Sequence, residues 1–303
     1  MWNRIVLLSA LALALLDPAT ALAEEPCRES GCLFLRTRIR LEVVGGRIAV
    51  VNRGCGQSRC TVASSPAADS RQTLSIQLQP AALVVSYESV SAGQRLALEV
   101  DEQQQLSIHR LPIDASSLAE VRYCQAADGK LTLFVGRNKP GQYSAESLWH
   151  LMLAEPDVCR KHLVPLLESL RPNWRLEEQA AAVEDLLLQT PSDDLLATRA
   201  QWQSLIEDLK SDDFKTRHAA DRALRAAGQG VVAFLKRQDP NELDAEQRAR
   251  IRTICAELSD GSCDTPQRVA SWLANDKAAW LSLLGRGDVQ VRIAAGEHLS
   301  TLR

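Results

Sequence analysis

Leu209-Lys-Ser-Asp-Asp213-Phe-Lys-Thr-Arg217-His-Ala-Ala220-Asp-Arg-Ala-Leu224 returns 75 residues later as Leu284-Gly-Arg-Gly-Asp288-Val-Gln-Val-Arg292-Ile-Ala-Ala295-Gly-Glu-His-Leu299. Leu, Asp, Arg, Ala and Leu recur at five matched positions, and a fainter copy between them keeps the spacing as Asp244, Arg248, Ile251 and Cys255. Successive aspartates are 31 and 44 residues apart, a period near that of two-helix repeat units. Each position has a physical reason. A carboxylate in the first turn meets unpaired N–H groups and the positive end of the helix dipole. An arginine four residues on shares its face and is expected to pair with that aspartate or with one on a stacked neighbour. Alanine at the seventh place lets two helices approach, and leucine at the eleventh fills the seam.

Outward from this repeat, the stretch from Leu148 onward also has helical spacing. Leu148, Leu151, Ala154 and Val158, then Cys159, Leu163, Leu166, Leu167 and Leu170, lie three and four apart, with breaks or bends at Pro156, Pro165 and Pro172. Leu176 to Leu188 is a further amphipathic stretch. Before Pro140-Gly141 the period becomes two. Leu35, Thr37, Ile39, Leu41 and Val43 alternate with Phe34, Arg36, Arg38, Arg40 and Glu42, and seven more short runs follow up to Val135. Gly45-Gly46 predicts a hairpin turn in which residues whose numbers sum to about 91 face each other, and Asp128-Gly129 predicts a second tight turn. Eight strands in about a hundred residues predict a small antiparallel sandwich or open barrel. The arginine stripe reads as a solvated strand face, because no aromatic residues interleave with it.

The Asp-x3-Arg-x2-Ala-x3-Leu signature resembles HEAT-like repeats, in particular the short variety found in phycobilin lyases, over about Gln201 to Leu302. The segment from Leu148 to Trp174 is similar to one that recurs in exported HEAT-like bacterial proteins of unknown role. The resemblance implies a helical solenoid and most often a protein-binding scaffold. Together these readings give an α+β chain. Its expected parts are a signal peptide (1–23), a β-rich domain containing disulfides (24–141), a helical linker (142–190) and HEAT-like repeats (191–303).

Arg4, the apolar run Ile5 to Leu16 and the small residues Ala21-Leu22-Ala23 read as a Sec-type signal, which predicts a periplasmic or secreted protein with no membrane span after cleavage. In an oxidising compartment an even set of cysteines favours disulfides, and the chain has eight: Cys27, Cys32, Cys55, Cys60, Cys124, Cys159, Cys255 and Cys263. The hairpin register favours Cys32–Cys60 with Cys27–Cys55, four thiolates around zinc being the alternative. Cys124 and Cys159 read either as buried small hydrophobes or as a tie between the halves.

A net charge of −3, from 35 Lys and Arg against 38 Asp and Glu, is too balanced for a nucleic-acid binder that works by neutralising phosphates. The five histidines, His109, His150, His162, His218 and His298, are scattered, and no nucleophile-elbow, zincin, Walker-type or dinucleotide motif occurs. His218 with Asp221 reads as a surface pair, the two Ser-Asp-Asp triplets at 192–194 and 211–213 as helix caps, and Arg286-Gly287-Asp288 as part of the repeat. The sequence therefore assigns no catalytic residue, cofactor or metal. It predicts an exported, non-catalytic interaction scaffold with a protein partner in the cell envelope. The alternative is an enzyme or cofactor-handling protein with a site where the two halves meet, near Cys124, Cys159, His150 and His162.

Overall fold

The computed structural model describes residues 38–53, 59–67, 70–80, 82–91, 93–113, 119–127, 129–258 and 262–301. The leader, Arg36, Asp128, Cys27, Cys32 and Cys55 lie outside them, and with these cysteines the two expected N-terminal disulfides.

The first described elements are a hairpin, β1 (Ile39–Val44) and β2 (Arg47–Asn52). Ile39 pairs with Asn52 and Val44 with Arg47, the register of a turn centred on Gly45-Gly46. Both glycines have positive φ, +58° and +74°, which a right-twisted two-residue turn requires and other residues resist. The remaining strands form one antiparallel meander: β3 (Arg59–Ala67), β4 (Ser70–Gln79), β5 (Ala82–Ser91), β6 (Gln94–Val100), β7 (Leu106–Pro112), β8 (Val121–Gln125), β9 (Leu131–Val135) and β10 (Gly141–Ala145). Ten strands thus stand among the described residues where alternation predicts eight. The two that alternation misses, β3 and β10, are the edges of the meander, and β3 contains Pro66, which an edge strand tolerates.

Alternation places Leu74, Ile76, Tyr87, Leu98, Ile108, Tyr123, Leu131 and Leu133 on one buried face. The hairpin reaches the sheet through a side chain. Gln125 Nε2 donates to the Ile48 carbonyl at 3.0 Å and its Oε1 accepts from Ile48 N–H at 2.9 Å, so the amide satisfies both backbone groups.

The helices follow: α1 (Leu148–Ala154), the short α2 (Pro156–Val158), a π-helical turn (Cys159–Leu163), α3 (Val164–Leu170), α4 (Leu176–Leu188) and α5 (Ser192–Asp208). Then come α6 (Phe214–Ala226), a 3-10 turn (Gly228–Val231), α7 (Val232–Leu235), α8 (Ala245–Leu258), α9 (Pro266–Leu273), α10 (Lys277–Leu284) and α11 (Val289–Thr301). The fold is therefore mixed, an antiparallel β region followed by helices. No helix among the described residues is long and apolar enough to cross a membrane.

One buried cluster runs from the hairpin through the inner sheet face into α1, α3, α4 and α9 to α11. A second joins Trp202 and Ile206 of α5 to Leu224 of α6, Leu235 of α7 and Ile254 of α8. The repeat residues are used alike at three helix starts. Asp213 accepts from Lys215 and Thr216 N–H. Asp244 accepts from Gln247 N–H at 2.7 Å while Gln247 Oε1 accepts from Asp244 N–H at 2.9 Å, a capping box. Asp288 accepts from Gln290 N–H at 2.8 Å.

The arginines do something other than the expected pairing with these aspartates. Arg217 donates to the carbonyls of Ser211 and Asp212, and Arg248 to that of Pro240, each reaching back into the loop before its own helix. The cap oxygens already take backbone donors, and a guanidinium is long enough to pass them. Arg292 is exposed. Helix α6 packs against α8 and α5, whereas α11, which carries the last copy, packs against α10, α5 and α4.

Candidate functional site

A cleft of about 720 Å³ opens where the hairpin turn, the start of α1, α7 and the α9–α10 connection converge. Its walls are set by Asp264, in the loop before α9. The carboxylate accepts from Gly45 N–H at 2.8 Å, Gly46 N–H at 2.7 Å and Trp149 Nε1 at 2.7 Å, and Asp264 N–H donates to the Val43 carbonyl. Gly46 O accepts from Leu148 N–H at 2.7 Å. A Cβ at Gly46 would stand 2.5 Å from the Ser147 Cβ, so the turn and the helix start fit only because residue 46 has no side chain.

His150, on the first turn of α1, is 4% exposed and lies at the cleft floor. Ser147 is the N-cap of α1: its Oγ accepts from His150 N–H and stands 2.8 Å from His150 Nδ1. The His150 ring tilts against Trp272 with centroids 5.7 Å apart. Nε2 lies 3.3 Å from Asp276 Oδ2, an ion pair when the ring is protonated, but short of the geometry of a well-formed hydrogen bond. Asp276 is the N-cap of α10, and its Oδ1 is engaged by Ala278 N–H at 2.9 Å. Burial pushes the Asp276 carboxyl up, but His150, the Ala278 N–H and the charge of Arg237 outweigh it and hold the group below the usual carboxylate range. Glu146, exposed at the mouth, offers a carboxylate oxygen to the same place: ligand atoms of Glu146, His150 and Asp276 all lie within 4.8 Å of one another.

Three further residues that line this cleft each have a buried polar atom with no hydrogen-bond partner among the described residues: Arg47 Nη2, Gln229 Oε1 and Trp272 Nε1. Buried polar atoms are nearly always satisfied, so four such atoms on residues that line one cleft single it out as the candidate binding site. Lys236, Arg237 and Lys277 add exposed cationic groups to Arg47 along the lining, against the carboxylates of Glu146 and Asp276. Ser147, His150 and Asp276 are also the residue types of a hydrolytic triad. Ser147 is 4% exposed and its oxygen is held as a helix cap, so it offers no accessible nucleophile.

The other residues singled out from sequence lie elsewhere. Cys159 is buried, its Sγ donates to the Leu151 carbonyl at 3.6 Å, and burial pushes its thiol up to about 12, which removes nucleophilic thiolate at neutral pH. Cys60, Cys124, Cys159, Cys255 and Cys263 form no disulfide with one another among the described residues, so the expected tie between Cys124 and Cys159 is not made. Cys124, Cys159 and His162 are not among the cleft residues, which leaves His150 as the boundary group the fold brings there.

His109 stands 3.1 Å from Glu120, and His218 stacks on Phe214 while Asp221 pairs with Arg225 and Arg250. Ser192 is not a cap. Pro191 holds that position, and Ser192 Oγ lies 3.2 Å from His298 Nδ1. Arg286 donates to the Leu153 carbonyl and pairs with Glu184, so its tripeptide is spent inside the fold. Sequence reasoning missed Glu146, Arg47, Gln229, Trp272 and Asp276, and only the helix-start position of Asp276 leaves a mark in the sequence. No protein-family profile, curated protein or solved structure matches the chain.

Proposed function

We propose that this chain is a binding protein whose cleft takes a small polar molecule carrying an anionic group. The observation that carries the reading is that Arg47, Trp272, His150 and Gln229, each with a buried polar atom that lacks a well-formed hydrogen bond among the described residues, all line one cleft. Arg47 and Trp272 can only donate and Gln229 Oε1 can only accept, which suits a ligand with acceptor oxygens and at least one hydroxyl or amide. The surrounding Lys236, Arg237 and Lys277 favour negative charge on it. The cleft lies between the β region and the helices, the place the alternative sequence reading gave to a cofactor-handling site.

Trp272 supplies the readout. Titration of the full chain with inorganic phosphate and with a panel of small carboxylates and sugar phosphates should change tryptophan emission, and Arg47→Met should abolish the change. No response across the panel, or one indifferent to Arg47, would reject the reading.

A second reading keeps the expected interaction scaffold, with α6, α8 and α11 as HEAT-like units. It is favoured by Leu281 and Leu284 of α10 and Val289 and Ile293 of α11, all of them exposed and one turn apart on each helix. Leu284→Asp with Ile293→Asp should then abolish co-purification of a stoichiometric envelope protein while leaving cleft binding intact. Both readings take the chain to be exported, which fractionation of cells expressing it tests.

A further inference from the structure

We infer that Glu146, His150 and Asp276 form a site for one divalent transition-metal ion of the zinc class at the floor of the cleft. The inference builds on the reading of the cleft as the ligand site, but a separate geometry carries it. His150 Nε2 and Asp276 Oδ2 are 3.3 Å apart, short of a well-formed hydrogen bond. Two ligands at about 2.0–2.1 Å from a tetrahedral zinc ion stand about 3.3–3.4 Å apart, so the pair already has the edge length of such a site. With the proton on Nδ1, donated to Ser147 Oγ at 2.8 Å, Nε2 presents a lone pair toward a carboxylate oxygen. That contact is repulsive unless a cation, either a proton or a metal ion, holds the two atoms together. With a proton on Nε2 the pair is a 3.3 Å imidazolium–carboxylate contact, longer than a good charge-assisted hydrogen bond, and a metal ion would take that proton's place.

The supporting shell fits as well. Metal-binding histidines fix their tautomer by donating from the other nitrogen, which Ser147 accepts here, and Ala278 N–H engages the Asp276 oxygen that faces away from the pair. Asp276 Oδ2 and Nε2 are therefore left for the ion, and the Glu146 carboxylate oxygen lies within 4.8 Å of both. One imidazole with two carboxylates selects a borderline ion over magnesium or calcium, and cleft thiols that would select a softer ion are absent among the described residues. Two carboxylates balance the ion's charge. The fourth position opens into the cleft, where Arg47, Lys236, Arg237 and Lys277 oppose a bare cation and favour an anion bound to it.

The test uses the full chain, stripped with chelator and with its thiols alkylated. Zn²⁺ is followed by calorimetry and Co²⁺ by its visible d–d bands. One ion per chain is expected, with no sulfur-to-metal charge-transfer band. His150→Ala and Asp276→Asn should each weaken binding at least 100-fold; the asparagine keeps an oxygen to cap α10, so that variant tests the ligand with the helix start intact. Ser147→Ala, which removes a positioning residue, should weaken it by roughly ten- to a hundredfold. His218→Ala, on an exposed helix face, should change nothing.

Absence of a one-to-one ion, or equal affinity in the His150 and Asp276 variants, overturns the inference. Phosphate binding in the metal-free chain that depends on Arg47, with no Zn²⁺ binding, would remove the metal and leave the cleft reading standing. Zn²⁺ bound through His150 and Asp276 with no anion at any concentration would do the reverse.

Discussion

The molecule contains two buried histidines in nearly the same setting. His150 and His298 are each 4% exposed, each places Nδ1 beside a serine Oγ, and each lies against a tryptophan. They differ at the second nitrogen. The His298 ring also engages the Thr190 backbone and stacks on Trp280 with centroids 3.9 Å apart. Burial lowers its tendency to protonate, although Glu297 and Thr190 partly counter this. His298 is a packing residue with its polar atoms cared for. His150 has a second nitrogen held only by a long 3.3 Å contact to the Asp276 carboxylate, and it lines a cleft. The same residue type in the same shell is structural where the fold completes it and functional where the fold stops short.

The widest expected effect tests whether the two sites are independent. Asp264→Ala strands Gly45 N–H, Gly46 N–H and Trp149 Nε1 together, and at about 1–3 kcal/mol for each orphaned donor it should cost about 4 kcal/mol in denaturant unfolding. Imidazole NMR signals should move for His150 and hold still for His298. Truncation separates the pair next. His298→Ala empties a filled site against Trp280 and should cost about 3 kcal/mol, whereas His150→Ala opens onto a cleft that water can enter and should cost about 1 kcal/mol. Equal losses would break the distinction.

Gly46→Ala combines a positive φ with a 2.5 Å approach to Ser147 and should cost about 2 kcal/mol. Because Ser147 orients His150, this variant should also weaken ligand or metal binding in the cleft, an effect His298→Ala should lack.

The smallest effect is on pH dependence. The folded His298 has a pKa below that of an unfolded histidine near 6.5, so the unfolded chain binds more protons. Its contribution is complete above about pH 6.5 and is lost as pH falls toward the folded value. His298→Gln should flatten that part of the stability profile, measured by urea unfolding between pH 5 and pH 7.

Much of this frame was legible in sequence. The repeat aspartates announce helix starts because a short carboxylate in that place has one obvious use, and Gly45-Gly46 announces a turn because few residues adopt its backbone. Strands β3 and β10 were not legible. Cys60-Thr-Val-Ala-Ser-Ser has too few bulky residues to alternate, and Pro140-Gly141 reads as an end where the chain in fact begins the sheet's last strand. The site was hidden for a different reason. His150 and Asp276 come from helices far apart in the chain, and neither has a motif around it. What distinguishes His150 from His298 is an unfilled bond, a property of the assembled fold that no local spacing encodes.

Asp264 closes a loop of 219 residues onto the hairpin turn. During synthesis the turn leaves the ribosome early and waits for its carboxylate until nearly the whole chain has followed. A chain halted before residue 264 would thus carry the β strands but neither the clamp nor the far wall made by Trp272 and Asp276, and ligand capture would begin only once assembly is almost finished.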